Sequence, residues 1–299
     1  MPGSTLESAT AEDARSVRPS GRPPSRRGAT VRRVLSRPLG LVGLALVSVA
    51  AGTAQFADRI APGDPFDTSA GPSLSPPSWD HLMGTDNLGR DLFTAVVHGT
   101  RTSMIVVLWV VAISSAIGIV VGSLCGYRGG LVDDVMMRVT EAFQLVPRFF
   151  LALLVISFWG RGLEKIILLL GLTSWPFLAR IVRAEAIRLR NQTFVESARS
   201  VGASSARILV RHVVPNLLQP VVVVIALFAS RVILIEAGLA FLGLGDPDRV
   251  SLGFLASNAQ QFLRLAWWMA VFPGAAIALV TLGLNLLADA VNDALRGTR

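Results

Sequence analysis

The 299-residue chain has a single cysteine, Cys125, and a single lysine, Lys165, and both scarcities exclude chemistry. A lone cysteine forms no intrachain disulfide and supplies no multi-cysteine metal site. Lys165 follows Glu164 where a phosphate-binding loop needs glycine, so the chain has no Gly-rich loop with lysine to cradle ATP phosphates. The three histidines, His81, His98 and His212, lie far apart and none has the HExxH spacing of a zinc hydrolase. No GxSxG nucleophile turn occurs either. Charge is scarce too: 16% of residues are charged, against about 25% in an ordinary soluble domain. Much of the surface therefore faces something other than water, and the expectation is a non-enzyme with no metal or cofactor of its own.

What the chain has in quantity is apolar sequence, at 52% hydrophobic residues and a mean hydropathy of +0.56. Residues 1–38 are polar and rich in Ser, Pro, Gly and Arg, and read as a disordered tail. Leu39–Phe56 then runs without a charge for the minimum length of a membrane span. A cleaved signal peptide is the competing reading, disfavoured by the long basic lead. Five more candidate spans follow: Met104–Leu124, Val139–Trp159, Ile166–Ala184, Leu217–Leu242 and Ala266–Leu287. The third is impure, holding Glu141, Gln144, Pro147 and Arg148, and the fourth is expected to break at Trp175-Pro176. Six spans predict a packed helical bundle and not one anchor.

The net charge of +8 suggests nucleic acid only until the basic residues are placed. With the N-terminus inside, and Arg180 and Arg183 at the inner end of the fourth span counted with the cytoplasmic segment 180–213, 19 of the 28 Lys and Arg fall inside and 7 outside; Arg148 and Arg231 lie deeper within spans. That bias puts both termini in the cytoplasm and leaves nucleic-acid binding without support.

The segment between the fourth and fifth spans, about residues 185–215, is basic and reads as two short helices joined at Gly202. Ser204 or Ser205 would cap the second. Small residues there, Ser197, Ala198, Ala203 and Ser204, would let another protein approach the backbone closely. An ordinary amphipathic interfacial helix is the plainer alternative. Between the first two spans stands GTDNLGRDLF, residues 84–93: by itself a turn, with Asp91 suited to a helix N-terminus. It lacks the alternating acidic ligands of a calcium loop.

Together these segments carry a family resemblance. Glu196-Ser197-Ala198, Gly202 and Pro215 resemble the EAA loop of ABC importer permeases (E-A-A-x3-G-x9-I-x-L-P), with Ser197, His212 and Val214 as departures. His212 at its position, in RHVVPN, is similar to the peptide-permease branch. Gly84, Thr85, Asp86, Gly89, Arg90 and Asp91 resemble the GTDxxGRD signature of C-type dipeptide, oligopeptide and nickel permeases. GYRGGLVDDVMMR, GLTSWPFLAR, EAGLAFLGLG and the segment from Phe272 to Arg296 resemble the same subunits in the same order, so the likeness covers about residues 35–297.

The resemblance implies an all-α, polytopic membrane protein of six transmembrane helices with the type I ABC importer permease fold. Its expected parts are a tail (1–38), a first span with extracellular loop (39–103) and a permease core with five spans and the coupling loop (104–299). It further implies a bacterial plasma-membrane location and a homologous B-type permease as partner. Two ATPase domains that bind ATP and Mg, and an extracellular substrate-binding protein, complete the implied assembly. Peptide import by alternating access is the implied function. The rival is a stand-alone secondary transporter using intramembrane Arg and Glu.

Arg148 and Arg231 depart from the small or apolar residues expected in such permeases. A guanidinium at a span centre costs about 2.5–3.5 kcal/mol on insertion scales, so each should face the bundle interior, water or a partner acid. Arg148 is near enough to a span end to snorkel. Glu236 lies about 140° round the helix from Arg231, which makes an intrahelical pair awkward. Arg231 and Glu236 are the candidate translocation-path residues, Arg231 to attract a substrate carboxylate; an ion pair with a partner subunit is the alternative.

Overall fold

The computed structural model describes residues 37–296, and among these no strand occurs beyond an isolated bridge between Thr85 and Asp91. The expected tail therefore lies almost wholly outside the described residues. In chain order the main helices are α1 (Pro38–Gln55), α2 (Ala57–Ile60), α3 (Leu92–Arg128), α4 (Gly130–Leu145), α5 (Arg148–Trp159) and α6 (Leu163–Arg190). They continue with α7 (Thr193–Ser200), α8 (Ser205–Ile208), α9 (Val214–Phe241), α10 (Leu252–Ala259) and α11 (Trp268–Arg296). A π-turn over Leu209–Val213 joins α8 to α9, so Ser205–Phe241 forms one apolar rod of 37 residues.

Five of these helices are long and apolar enough to cross a membrane, and the bent pair α4–α5 makes a sixth crossing if taken together. This is the main correction to the third span, read from sequence as one helix over Val139–Trp159. It is two helices meeting at 77°. The reason is local: Val146, preceding Pro147, is pushed into extended backbone (ψ 118°), and Pro147 itself is extended (ψ 125°). The fourth span corrects in the opposite direction. The expected break at Trp175-Pro176 is absent, and α6 runs on through Pro176. Buried Trp175, Pro176 and Leu178 pack the helix against its neighbours, and a missing N–H inside a bundle is tolerated where packing holds the turn.

The closest helix pair, α3 with α6, is built on absent side chains. Gly118, Gly122 and Gly126 recur every fourth residue and so share one face of α3. A Cβ at Gly122 would stand 2.4 Å from the Ala179 carbonyl oxygen, and one at Gly126 2.4 Å from that of Arg183. One turn earlier, the Ser114 hydroxyl donates to the Gly171 carbonyl at 2.8 Å. Small residues thus let two backbones meet, which is the main attractive device between helices when lipid supplies no hydrophobic drive. Gly43 of α1 and Gly283 of α11 make a similar close approach.

The three largest of the apolar clusters among the described residues stack along the molecule. The central one joins Val106 and Val110 of α3, Leu170 and Leu178 of α6, and Val232 and Ile233 of α9. At the end that carries residues 57–91, Leu92 packs with Leu252, Leu255, Trp268 and Met269. At the other end Tyr127, Val182, Leu189, Val195, Ile208, Val213 and Leu217 form the third.

Candidate functional site

The segment after α6 is a compact helical knuckle. Helix α7 ends in a residue that only glycine adopts cheaply: Gly202 has φ +80°. Its N–H donates to the Arg199 carbonyl and the Ala203 N–H to that of Ala198, so the last carbonyls of α7 are satisfied as the chain turns. Ser204 takes the N-cap backbone conformation of α8 (ψ 149°), although its hydroxyl makes no capping bond. The two-helix expectation for this segment therefore matches the geometry, with Gly202 at the joint.

Burial divides the knuckle into an anchor and a free face. Val195, Ile208 and Val213 are fully buried and plug into the third apolar cluster, against Val182, Ala186 and Leu189 of α6. Glu196, Ser197, Gly202 and Ser204 are exposed, and Ala198 and Ala203 are half-buried. Val201, beside Gly202, is 83% exposed. No atom lies within 4 Å of where a Gly202 Cβ would stand. The knuckle thus offers a small-residue face with an apolar tip, held by buried residues that sequence reasoning did not single out.

Its exit is equally defined. Pro215 has no N–H to bond to the Arg211 carbonyl, and the chain widens into the π-turn just before it, with the Val214 N–H reaching back to the Leu209 carbonyl. His212 is half-buried in that turn, and its carbonyl accepts from the Asn216 side chain at 2.6 Å. Two basic clasps flank the knuckle. Arg190 donates to the Tyr127 carbonyl at 3.2 Å, and the Arg199 guanidinium lies 5.8 Å from the centre of the Tyr127 ring. Below them Arg183 grips Asp133, at the start of α4, donating from Nε and Nη2 to the two carboxylate oxygens at 2.5 and 2.6 Å.

The GTDNLGRD turn at the opposite end is a fastening. Thr85 is buried; its hydroxyl donates to the Pro72 carbonyl and accepts from the Ser75 N–H, while its carbonyl accepts from the Trp268 indole at 3.0 Å. The Asp86 carboxylate accepts from the N–H groups of Leu88 and Arg90 at 2.8 and 2.9 Å. Gly84 and Gly89 both have positive φ, and a Cβ on Gly89 would stand 2.4 Å from the Gly71 carbonyl oxygen. The Arg90 guanidinium covers the Phe66 ring at 5.1 Å. Asp91 is the N-cap of α3, accepting from the Thr94 N–H at 2.8 Å, and its other oxygen meets His81 at 3.1 Å. These residues tie the 57–91 loop to α3 and to the start of α11.

The two candidate path residues part company. Glu236 is 3% exposed and enclosed by this chain's own helices, where it accepts from the Ser103 hydroxyl at 2.9 Å. Arg231 is exposed on α9, with its guanidinium 4.8 Å from the centre of the Phe177 ring. Among the described residues no carboxylate pairs with it. Nor do the described residues contain a group of three or more His, Cys, Asp or Glu suited to a metal ion.

A bundle of crossing helices with an exposed, anchored knuckle at one end is the form of a transport permease. Residues 118–297 match the family of binding-protein-dependent transport system inner membrane components, and the chain belongs to that family. Its relatives agree along nearly the whole length. It is 37% identical over 268 residues, 89% of this chain and 90% of the other, to a provisionally named peptide transport system permease protein of Brucella suis biovar 1. It is 34% identical over 264 residues (88% and 87%) to the oligopeptide transport system permease protein OppC of Bacillus subtilis. With the di/tripeptide transport system permease protein DppC of Pseudomonas aeruginosa it shares 34% over 262 residues (85% and 86%). The chain is thus a multi-pass membrane protein and a permease component of an ABC transport system, with the type I permease fold expected from its motifs.

Proposed function

We propose that this chain is one half of the channel of an ATP-driven peptide importer. A homologous permease supplies the other half, and two ATPase domains, which bind ATP and Mg, drive the pair. An extracellular substrate-binding protein delivers peptide to the face formed by residues 57–91 and 243–265. Both termini then lie in the cytoplasm, on the knuckle's side of the membrane. The relatives' names, all peptide permeases, support the substrate class.

The single observation behind the mechanism is the knuckle's division into a buried root and a bare face. An ATPase seated on Glu196, Ser197, Ala198, Gly202, Ala203 and Ser204 would push a unit that cannot slide, because Val195 and Ile208 fix it to α6 and α9. ATP state then biases the bundle only if docking differs in free energy between its inward-open and outward-open forms. The transporting residues do no covalent chemistry, and hydrolysis resides in the partner.

The test is affinity purification of the tagged chain from its native membrane, with ATPase activity assayed in the eluate. Wild type should bring a second permease and an ATPase. Gly202→Asp, which places a charge on the open face, should lose the ATPase while keeping the permease. A chain that purifies alone and still moves substrate in vesicles would establish the secondary transporter instead.

A further inference from the structure

The break in the third span opens a cleft that the family likeness does not account for. It has a volume of about 340 Å³ and is lined by Gln144, Val146, Pro147 and Arg148 at the break, and by Thr173, Phe177 and Arg180 across from it on α6. Arg231 of α9 sits over the Phe177 ring that lines it. Arginines from three separate helices therefore stand at one cleft, Arg148 and Arg180 in its lining and Arg231 over one of its rings. Among the described residues none of the three has a carboxylate partner.

The depth makes this unusual. Phe177 lies about 21 Å from the start of α6, and Arg231 about 15 Å from the end of α9, at 1.5 Å per residue. Both distances fall near the middle of a hydrocarbon core about 30 Å thick, where unpaired arginines are rare and mark a water-filled path or a ligand. Arg183 on the same helix as Phe177 is neutralised by Asp133, and Arg188 by Glu185. Arg231 is held in another way. The ring fixes Arg231 through its face, and Phe228 stacks on Phe177 at 6.1 Å to steady it. A ring face attracts a guanidinium without occupying its N–H fork, so the donors stay open to a ligand.

We infer that Arg148, Arg180 and Arg231 form a substrate-carboxylate subsite in the translocation path, selective for peptides with more than one carboxylate. This deepens the peptide-import proposal and rests on it for the word substrate. Every free peptide carries one C-terminal carboxylate, which answers one guanidinium and leaves two. An acidic side chain in the peptide answers a second through a bidentate pair, so Glu- or Asp-containing peptides gain most. The binding protein is a separate chain, so changes made here alter selectivity without altering delivery.

The experiment uses the complete transporter in lipid nanodiscs and vesicles, with labelled Ala-Glu-Ala and Ala-Gln-Ala as probes. In wild type, uptake of Ala-Glu-Ala should exceed that of Ala-Gln-Ala by about tenfold at equal loading of the binding protein, the order expected for one extra charge-assisted bond. Arg231→Gln and Arg180→Gln should each remove most of that ratio, and Arg231→Lys should restore part of it, since lysine keeps charge but not the fork. Thermal stability of the complex should hold or rise in the Gln variants. Equal loss of both peptides together with a destabilised complex would overturn the inference, because it would mean that Arg231 answers an acid on the partner permease. An unchanged ratio would overturn it as well. If the wild-type complex imports neither peptide, peptide import fails, and the subsite is judged by equilibrium binding to nanodiscs. Ala-Glu-Ala bound more tightly than Ala-Gln-Ala, with the difference lost in Arg231→Gln, supports the subsite; equal binding refutes it.

Discussion

Single side chains do most at the two ends of the bundle. Thr85 spends its hydroxyl twice, and Thr85→Val keeps the shape while removing both bonds and stranding the Pro72 carbonyl and Ser75 N–H. A loss of about 1–3 kcal/mol follows, read as a lower melting temperature of the solubilised complex. Asp91→Ala, which strips the N-cap of α3 and the contact with His81, should cost about 0.5–2 kcal/mol in the same assay. Gly202 is a case of backbone and not of space. A side chain there meets nothing but must adopt φ +80°, so Gly202→Asn should keep ATPase recruitment and Gly202→Val should weaken it severalfold. These positions were visible in sequence because their chemistry is local: a turn, a cap and a left-handed glycine announce themselves within a few residues. Val195, Phe177 and Arg180 did not, since an anchor or a ring acquires its role only from helices far along the chain.

Helices carry a different kind of information. The apolar runs located the five long apolar helices and the bent pair, because a membrane demands length and hydropathy before anything else. They did not locate ends: α3 begins at Leu92 and not near Met104, since polar turns continue a helix once outside the lipid. The two prolines show why sequence stops short. Pro147 divides its span and Pro176 does not, although both lack the same N–H. The difference is tertiary: Pro176 is buried, whereas Val146 and Pro147 lie exposed beside a cleft. The seam between α3 and α6 is the sharpest place to test helix packing. Gly122→Leu drives its side chain into the Ala179 carbonyl and should abolish folded protein, measured as yield of monodisperse complex. Gly52→Leu, on α1 where a Cβ meets nothing within 4 Å, should leave that yield unchanged.

At the scale of the whole molecule, topology is the property most open to measurement. Cys125 is buried at the seam, so the native chain should resist maleimide until denatured. That silence makes introduced thiols readable. Val201→Cys, on the knuckle, should label only from the cytoplasmic side of intact cells or inverted vesicles. Trp79→Cys, at a site 96% exposed in the 57–91 loop, should label only from outside. Labelling of both from one side would overturn the proposed orientation. A second whole-molecule test concerns the clasp between α4 and α6. Asp133→Asn removes the partner of Arg183 and should destabilise the complex by about 1–3 kcal/mol, below the range for a fully buried pair because the guanidinium is one-third exposed. It should also slow ATP-driven transport more than ATPase recruitment, since the knuckle itself is untouched.

The unbroken rod from Ser205 to Phe241 sets the scale of motion available to the pore. Ile208 and Arg231 are separated along it by about 35 Å at 1.5 Å per residue. Val232 and Ile233 lock the far end to α3 and α6, so the rod tilts with its bundle; a bundle tilt of about 10° about the rooted end sweeps the Arg231 guanidinium through an arc of about 6 Å, longer than a charge-assisted hydrogen bond by a factor of two. A modest tilt thus suffices to carry Arg231 out of reach of a group held on the opposite side of the proposed channel. On the proposed subsite, grip and release become a matter of angle, with no local melting required.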